Sequence, residues 1–286
     1  MDELYTRVSN ATKQELYQYM KDNDISLLNY NFTYFFQNSI HKHRIRVISH
    51  HFSNHKIEGL TVVDNLGTSF SYERDNPKVK QNFTLCHELG HFILKHNGNY
   101  FAESIDNQEN LLEREANVFS AVVLMPDIVL LSKIYYNCES FKRVQNSLDV
   151  SKQALFYRLL DFLREHYSDK EGDVTQAIEA YIEGKNASIF RLFHDIREKI
   201  IEEFHQFQPS LVNQVKQRVS KVGFTTSQDY PDLLNQDNWK AIKASSINIK
   251  TWLVYNKGKS IAYVWDKERF SDEEARRKAE IQLLLM

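Results

Sequence analysis

The 286-residue chain is long enough for a sizeable core and for two domains, and its 42% hydrophobic and 26% charged residues are those of an ordinary globular protein. A net charge of -2 excludes the basic footprint of a general nucleic-acid binder. Two cysteines, Cys86 and Cys138, make no disulfide framework; with no apolar run of membrane length and no signal-peptide pattern in MDELYTRVSN, the expectation is a cytoplasmic protein that does not meet a membrane.

Eight glycines and four prolines, against many aromatics, favour a helix-rich protein with short connections. Thr12-Lys-Gln-Glu15 resembles a capping box that opens a helix to about residue 21, and a second helix is expected over residues 26–40. HRIRVISHHF, IEGLTVVDN and GTSFSYERD read as three short strands, the last two joined by a turn at Asp64 to Gly67. His41, His43, His50, His51 and His55 crowd the first of them; no metal-ligand spacing links them, and alternating strand faces with a polar loop account for them.

The next helix starts near Lys80 and carries FTLCHELGHFILKH, residues 83–96. At about 100° per residue, His87 and His91 share one helix face a turn apart, where two neutral imidazoles can take two corners of a zinc tetrahedron. Glu88 lies between them, placed to accept a proton from a water without binding the metal. The alternative is an amphipathic helix with a solvated polar edge. If the helix continues, His96 points away from His87 and caps or solvates its end; Cys86, a helix neighbour of His87, reads as buried packing.

LEREANVFSAVVLMP, residues 112–126, is a second amphipathic helix, stopped near Pro126. Glu113, Ala116, Asn117 and Ser120 share a face: Glu113 can ligate, Asn117 can orient a ligand histidine, and the small residues let this helix approach Gly90. Glu115 points about 160° from Glu113, which predicts that it faces solvent or joins a surface ion pair.

Residues 127–167 read as helical, and SLDVSKQALFYRLLDF resembles a helix-turn-helix with Tyr157, Arg158 and Leu159 on its second helix. The weakly acidic chain argues against DNA contact and for a packed helical subdomain. SDKEGD, residues 168–173, reads as a linker, followed by two helices to residue 207 and a boundary at Pro209-Ser210. INIKTWLVY-NKGK-SIAYVW reads as a hairpin, and Ser271 to Glu274 as the cap of a final helix; residues 175–286 carry no motif that assigns a role.

FTLCHELGHFILKH followed by EREANVFSAVVLMP resembles the ImmA/IrrE family of bacterial metallo-endopeptidases, with Ser120 and Val123 where the family often has Ala and Leu. The resemblance reaches to about residue 165. It implies a thermolysin-like zinc site and cleavage of a helix-turn-helix repressor that releases its target genes. Together these readings predict an α+β fold: a zincin-like core with a small three-stranded sheet (1–135), a helical subdomain (136–170) and a smaller C-terminal α+β region (171–286).

The expected site is Zn2+ on His87, His91 and Glu113, Asn117 behind a ligand histidine, and Glu88 as the proton-transfer group. Tyr72, Tyr100 and Tyr157 are candidates to stabilise the oxyanion, and GTSFSYERD is a candidate edge for an extended substrate. The rival reading is a non-catalytic regulator that binds its repressor and keeps zinc for structure. A structural site closes its fourth position with a protein ligand; none is apparent, and Glu88 is present, which favours catalysis.

Overall fold

The computed structural model describes residues 3–51, 57–96, 100–104 (backbone) and 110–285. Its first helix, α1 (Glu3–Asp22), begins well before Thr12. Tyr5, Val8, Leu16, Tyr17 and Met20 form a buried stripe, and Thr12 lies within it, its hydroxyl donating to the Val8 carbonyl at 2.7 Å. Burial of a continuous stripe outweighs the local capping signal, because a mid-helix threonine can satisfy itself on the carbonyl one turn back. α2 (Phe32–His43) also starts later than expected, at Asn31, whose side chain accepts from the Thr33 N–H.

β1 (Arg46–His50), β2 (Ile57–Asp64) and β3 (Gly67–Glu73) fall where alternation places them, but a fourth strand, β4 (Tyr100–Ser104), joins the sheet. The order is β1-β3-β2-β4, with β1 parallel to β3 and the other pairs antiparallel. β3 is therefore paired on both sides and cannot serve as the edge for an added strand; the edges are β1 and β4. The five residues of β4 carry too little alternation to stand out in the sequence. A register shift between Ile57 and Gly59 marks a bulge in β2 opposite β4.

α3 (Lys78–Ile93) packs on β2 and β3, with Phe92 meeting Phe70 edge-on. α4 (Leu111–Leu124) packs on α3 at Gly90, where a Cβ would lie 3.2 Å from the Ala116 Cα and 3.1 Å from the Phe119 ring, so the close approach expected from the small residues is present. The chain continues through α5 (Asp127–Leu130), a π-helical turn (Leu131–Tyr136), α6 (Phe141–Ser147) and α7 (Lys152–His166). Arg158 of α7 is buried and donates to the Met125 carbonyl, the Tyr5 hydroxyl and the Asp127 carboxylate. That residue of the helix-turn-helix-like segment belongs to the interior and has no access to nucleic acid.

Contacts divide the chain into Met1–Phe207 and Gln208–Met286. The division does not fall near residue 170, because α8 (Glu171–Ile182) and α9 (Ala187–Gln206) bury Val174, Ile178, Tyr181, Ile189 and Phe193 in the same core as α1 and α7. The second unit is itself α+β. Its sheet has the order β5 (Phe224–Thr226), β7 (Lys259–Asp266), β6 (Ile249–Asn256), with the expected hairpin turning at Lys257-Gly258. Ala262 and Val264 of β7 pack with α10 (Leu211–Val222) and α11 (Gln236–Ser245); Ile261, Tyr263 and Trp265 pack on the other face with α12 (Asp272–Leu285). The Ser271/Glu274 box caps α12 reciprocally. Among the described residues, no single helix is long and apolar enough to cross a membrane.

Candidate metal centre

His87, Glu88 and His91 occupy the buried face of α3 and are each at most 1% exposed. Burying two imidazoles and a carboxylate demands compensating partners, and α4 supplies the first of them. The His87 Nε2 lies 3.0 Å from the His91 Nε2 and 3.0 Å from the Glu113 Oε2, and the His91 Nε2 is 3.6 Å from the Glu113 Oε1. A zinc ion bonded at about 2.0–2.1 Å sets tetrahedral ligand atoms about 3.3 Å apart, so two nitrogens and a carboxylate oxygen converge at the spacing one ion requires. The chemistry of this donor set fits a metal.

The opposite ring edges are held as well. The His87 Nδ1 faces the Asn117 Oδ1 at 2.9 Å, which assigns the proton to Nδ1 and leaves the Nε2 lone pair to the centre. Burial raises the Glu113 carboxyl, but hydrogen bonds and charge from His87 and His91 outweigh it and hold it at about 2. Burial keeps the His91 imidazole below its ordinary value, with His87 acting in the same direction and Glu113 against it. An anionic carboxylate beside an imidazole held below its ordinary value suits metal ligation.

Glu88 is cradled from the sheet side. The Thr61 hydroxyl on β2 donates to its Oε2 at 2.5 Å. Two residues earlier, Gly59 has no side chain to collide: a Cβ there would lie 2.3 Å from the Glu88 Oε1 and 2.5 Å from the Thr84 Cγ2. Neither residue stands out in the sequence, since IEGLTVVD reads only as an alternating strand, and a glycine inside such a strand is the one local hint of a close approach.

Two expectations on the far side of the site are corrected. Glu115 is 6% exposed and faces inward, its carboxylate accepting from the His96 Nε2 at 2.9 Å and pairing with Arg7. Nor does His96 solvate the helix end: its side chain is 3% exposed, and its Nδ1 lies 2.8 Å from the His91 Nδ1. The cause is the way α3 stops. Lys95 adopts a left-handed φ of 57°, its N–H bonds to the Phe92 carbonyl, and the His96 N–H bonds to the His91 carbonyl. These two bonds make a Schellman ending, which swings His96 back under His91. With lysine in the position glycine usually takes, the sequence offers no sign of it.

Of the remaining candidates, Tyr72 packs against the apolar core, Tyr157 is exposed on α7, and the Tyr100 side chain and His55 lie outside the described residues. Cys86 is buried, which pushes its thiol up, as packing predicts. His43 stacks edge-on against Phe92, His50 meets Ser71 and the Ile57 carbonyl, and His51 pairs with Glu73 and Asp75. His51, Glu73 and Asp75 are close enough to share an ion, but two of the three are exposed and ion pairing accounts for their contacts.

Residues 40–160, from the end of α2 into α7, match the family model described as Peptidase_M78, IrrE N-terminal-like domain. A search of curated proteins returns no match.

Proposed function

Because residues 40–160 carry an IrrE N-terminal-like domain, which places them in the ImmA/IrrE metallopeptidase family, we propose that the chain is a cytoplasmic zinc endopeptidase that cleaves a helix-turn-helix transcriptional repressor. The observation that carries the hydrolase reading is the convergence of the His87, His91 and Glu113 donor atoms beside the enclosed carboxylate of Glu88. In this reading the four-stranded sheet, α3 and α4 are a zincin-like core, and α6 and α7 are a packed helical subdomain. The repressor as substrate rests on the family resemblance, and the cytoplasm on the two unpaired cysteines.

His87, His91 and Glu113 would hold the zinc, with Asn117 fixing the ring of His87. Bound there, zinc supplies Lewis-acid chemistry, acidifying a water and polarising a peptide carbonyl. Glu88 takes the proton of the attacking water and returns it to the departing amine, work worth about 10²–10⁴-fold for a positioned acid–base group. The Thr61 hydroxyl holds one carboxylate oxygen of Glu88, and the other lies against Gly59. Among the described residues β4 pairs with β2 alone, and its other edge, in place of β3, is the backbone ladder to which an extended substrate can add.

Purified wild-type protein and Glu88→Gln, each loaded with zinc, are incubated with helix-turn-helix repressors cloned from the same genome, those of neighbouring genes first. The expected outcome is one zinc per chain in both and cleavage by the wild type alone. Undiminished cleavage by Glu88→Gln overturns the mechanism. Zinc uptake with no cleavage by the wild type favours the non-catalytic regulator.

A further inference from the structure

We propose that His96 and Glu115, anchored at the surface by Arg7, are positioning residues that fix the tautomer and orientation of His91; the inference deepens the metal-site reading and rests on it. The two histidines of the HELGH helix are backed differently. His87 has a simple partner, the Asn117 side-chain oxygen. His91 has a second imidazole, and the protonation of that imidazole is settled one step further out.

The order of donors and acceptors follows from the carboxylate inward. The Glu115 carboxylate only accepts, so the His96 Nε2, 2.9 Å from it, carries the hydrogen. With the ring hydrogen on Nε2, the His96 Nδ1 offers a lone pair. The His91 Nδ1, 2.8 Å away, must donate to it, which leaves the His91 Nε2 lone pair facing His87 and Glu113. Glu115 is held in turn by Arg7 of α1, whose side chain is 61% exposed while that of Glu115 is 8% exposed. The relay thus runs from the surface of α1 through α4 and the Schellman turn of α3 to a metal ligand. An imidazole whose outer nitrogen is fixed binds metal more tightly, and loss of such a partner costs about 10–100-fold in affinity.

The test uses the full chain. In zinc-loaded wild type at neutral pH, long-range ¹⁵N–¹H NMR of the histidine rings should show Nδ1–H at His91 and Nε2–H at His96. The opposite tautomer at either ring overturns the relay. Zinc affinity, measured by chelator competition, should fall about 10–100-fold in His96→Phe. It should return to within a few-fold of wild type in His96→Asn, because the asparagine Oδ1 occupies the place of the imidazole Nδ1 and can accept the same hydrogen.

Glu115→Leu should weaken zinc binding in the wild-type background and have no further effect on His96→Asn, where no tautomer remains to be set. A purely structural role predicts additive losses and no rescue by asparagine, and either result overturns the proposal. Wild-type protein that takes up no zinc would instead refute the metal-site reading and the relay with it, whereas zinc uptake with the opposite tautomer overturns the relay alone. If His96→Phe does not fold, the tautomers and the Asn and Leu variants carry the decision.

Discussion

Gly59 shows how much of the site depends on a residue that contributes no atoms to the chemistry. β2 approaches α3 so closely that a methyl group at this position would overlap the Glu88 carboxylate and the Thr84 side chain. Gly59→Ala should therefore displace Glu88 while leaving His87, His91 and Glu113 in place. A misplacement of about 1 Å at a reacting group can cost about 10²-fold in rate, so turnover should drop by about that factor with zinc stoichiometry unchanged. Peptidase assay beside metal analysis checks this, and a variant with wild-type turnover would show that the cradle is unimportant. At this scale the grouping of His87, Glu88 and His91 is legible in the sequence, because its geometry is set by the helix period, and Glu113 because it shares a helix face with Asn117. Gly59, Thr61, His96 and Glu115 are not, because each acts across a contact between elements or through an unusual turn.

At the scale of elements, a buried ionic cluster joins the helices behind the site. Asp127, at the start of α5, pairs with Lys13 of α1 at 2.6 Å and with Arg158 of α7, and Lys13 also reaches Glu203 of α9 at 2.9 Å. Asp127, Lys13 and Arg158 are each at most 4% exposed. Burial raises the Asp127 carboxyl, but the two cations more than reverse this and hold it at about 2. Asp127→Ala would leave two buried cations without their shared counter-ion, a change that costs about 3–5 kcal/mol. Denaturant unfolding should register a loss of that order with little change in the slope, and a loss below about 1 kcal/mol would show that the cluster is not what joins these helices. The helices and turn of the helix-turn-helix likeness are present, but the Arg158 side chain within it is committed to Asp127, Tyr5 and Met125.

At the scale of the whole molecule, the two units have separate apolar interiors. One contiguous core runs from Val8 to Ile200, and the clusters on either face of the second sheet draw only on residues beyond Phe207. The matched peptidase segment and every residue of the proposed site lie in the first unit. A fragment of residues 1–207 should therefore unfold cooperatively on heating and bind zinc with wild-type affinity. A fragment that aggregates or binds zinc more than about ten-fold more weakly would show that the first unit depends on the second.

Local sequence patterns were enough for the grouping of His87, Glu88 and His91, the start of the motif helix, the C-terminal hairpin and the capped last helix. Each is a local pattern: a helix period, a two-residue turn, a reciprocal cap. Packing between distant segments settles that α1 runs through Thr12, that α8 and α9 belong to the first unit, that β3 is interior and β4, among the described residues, an edge, and that Glu115 turns inward to His96. Those outcomes depend on which surfaces are buried against one another. A capping signal, a polar stretch or a glutamate on the far side of a helix has no fixed meaning until its neighbours from distant parts of the chain are in place.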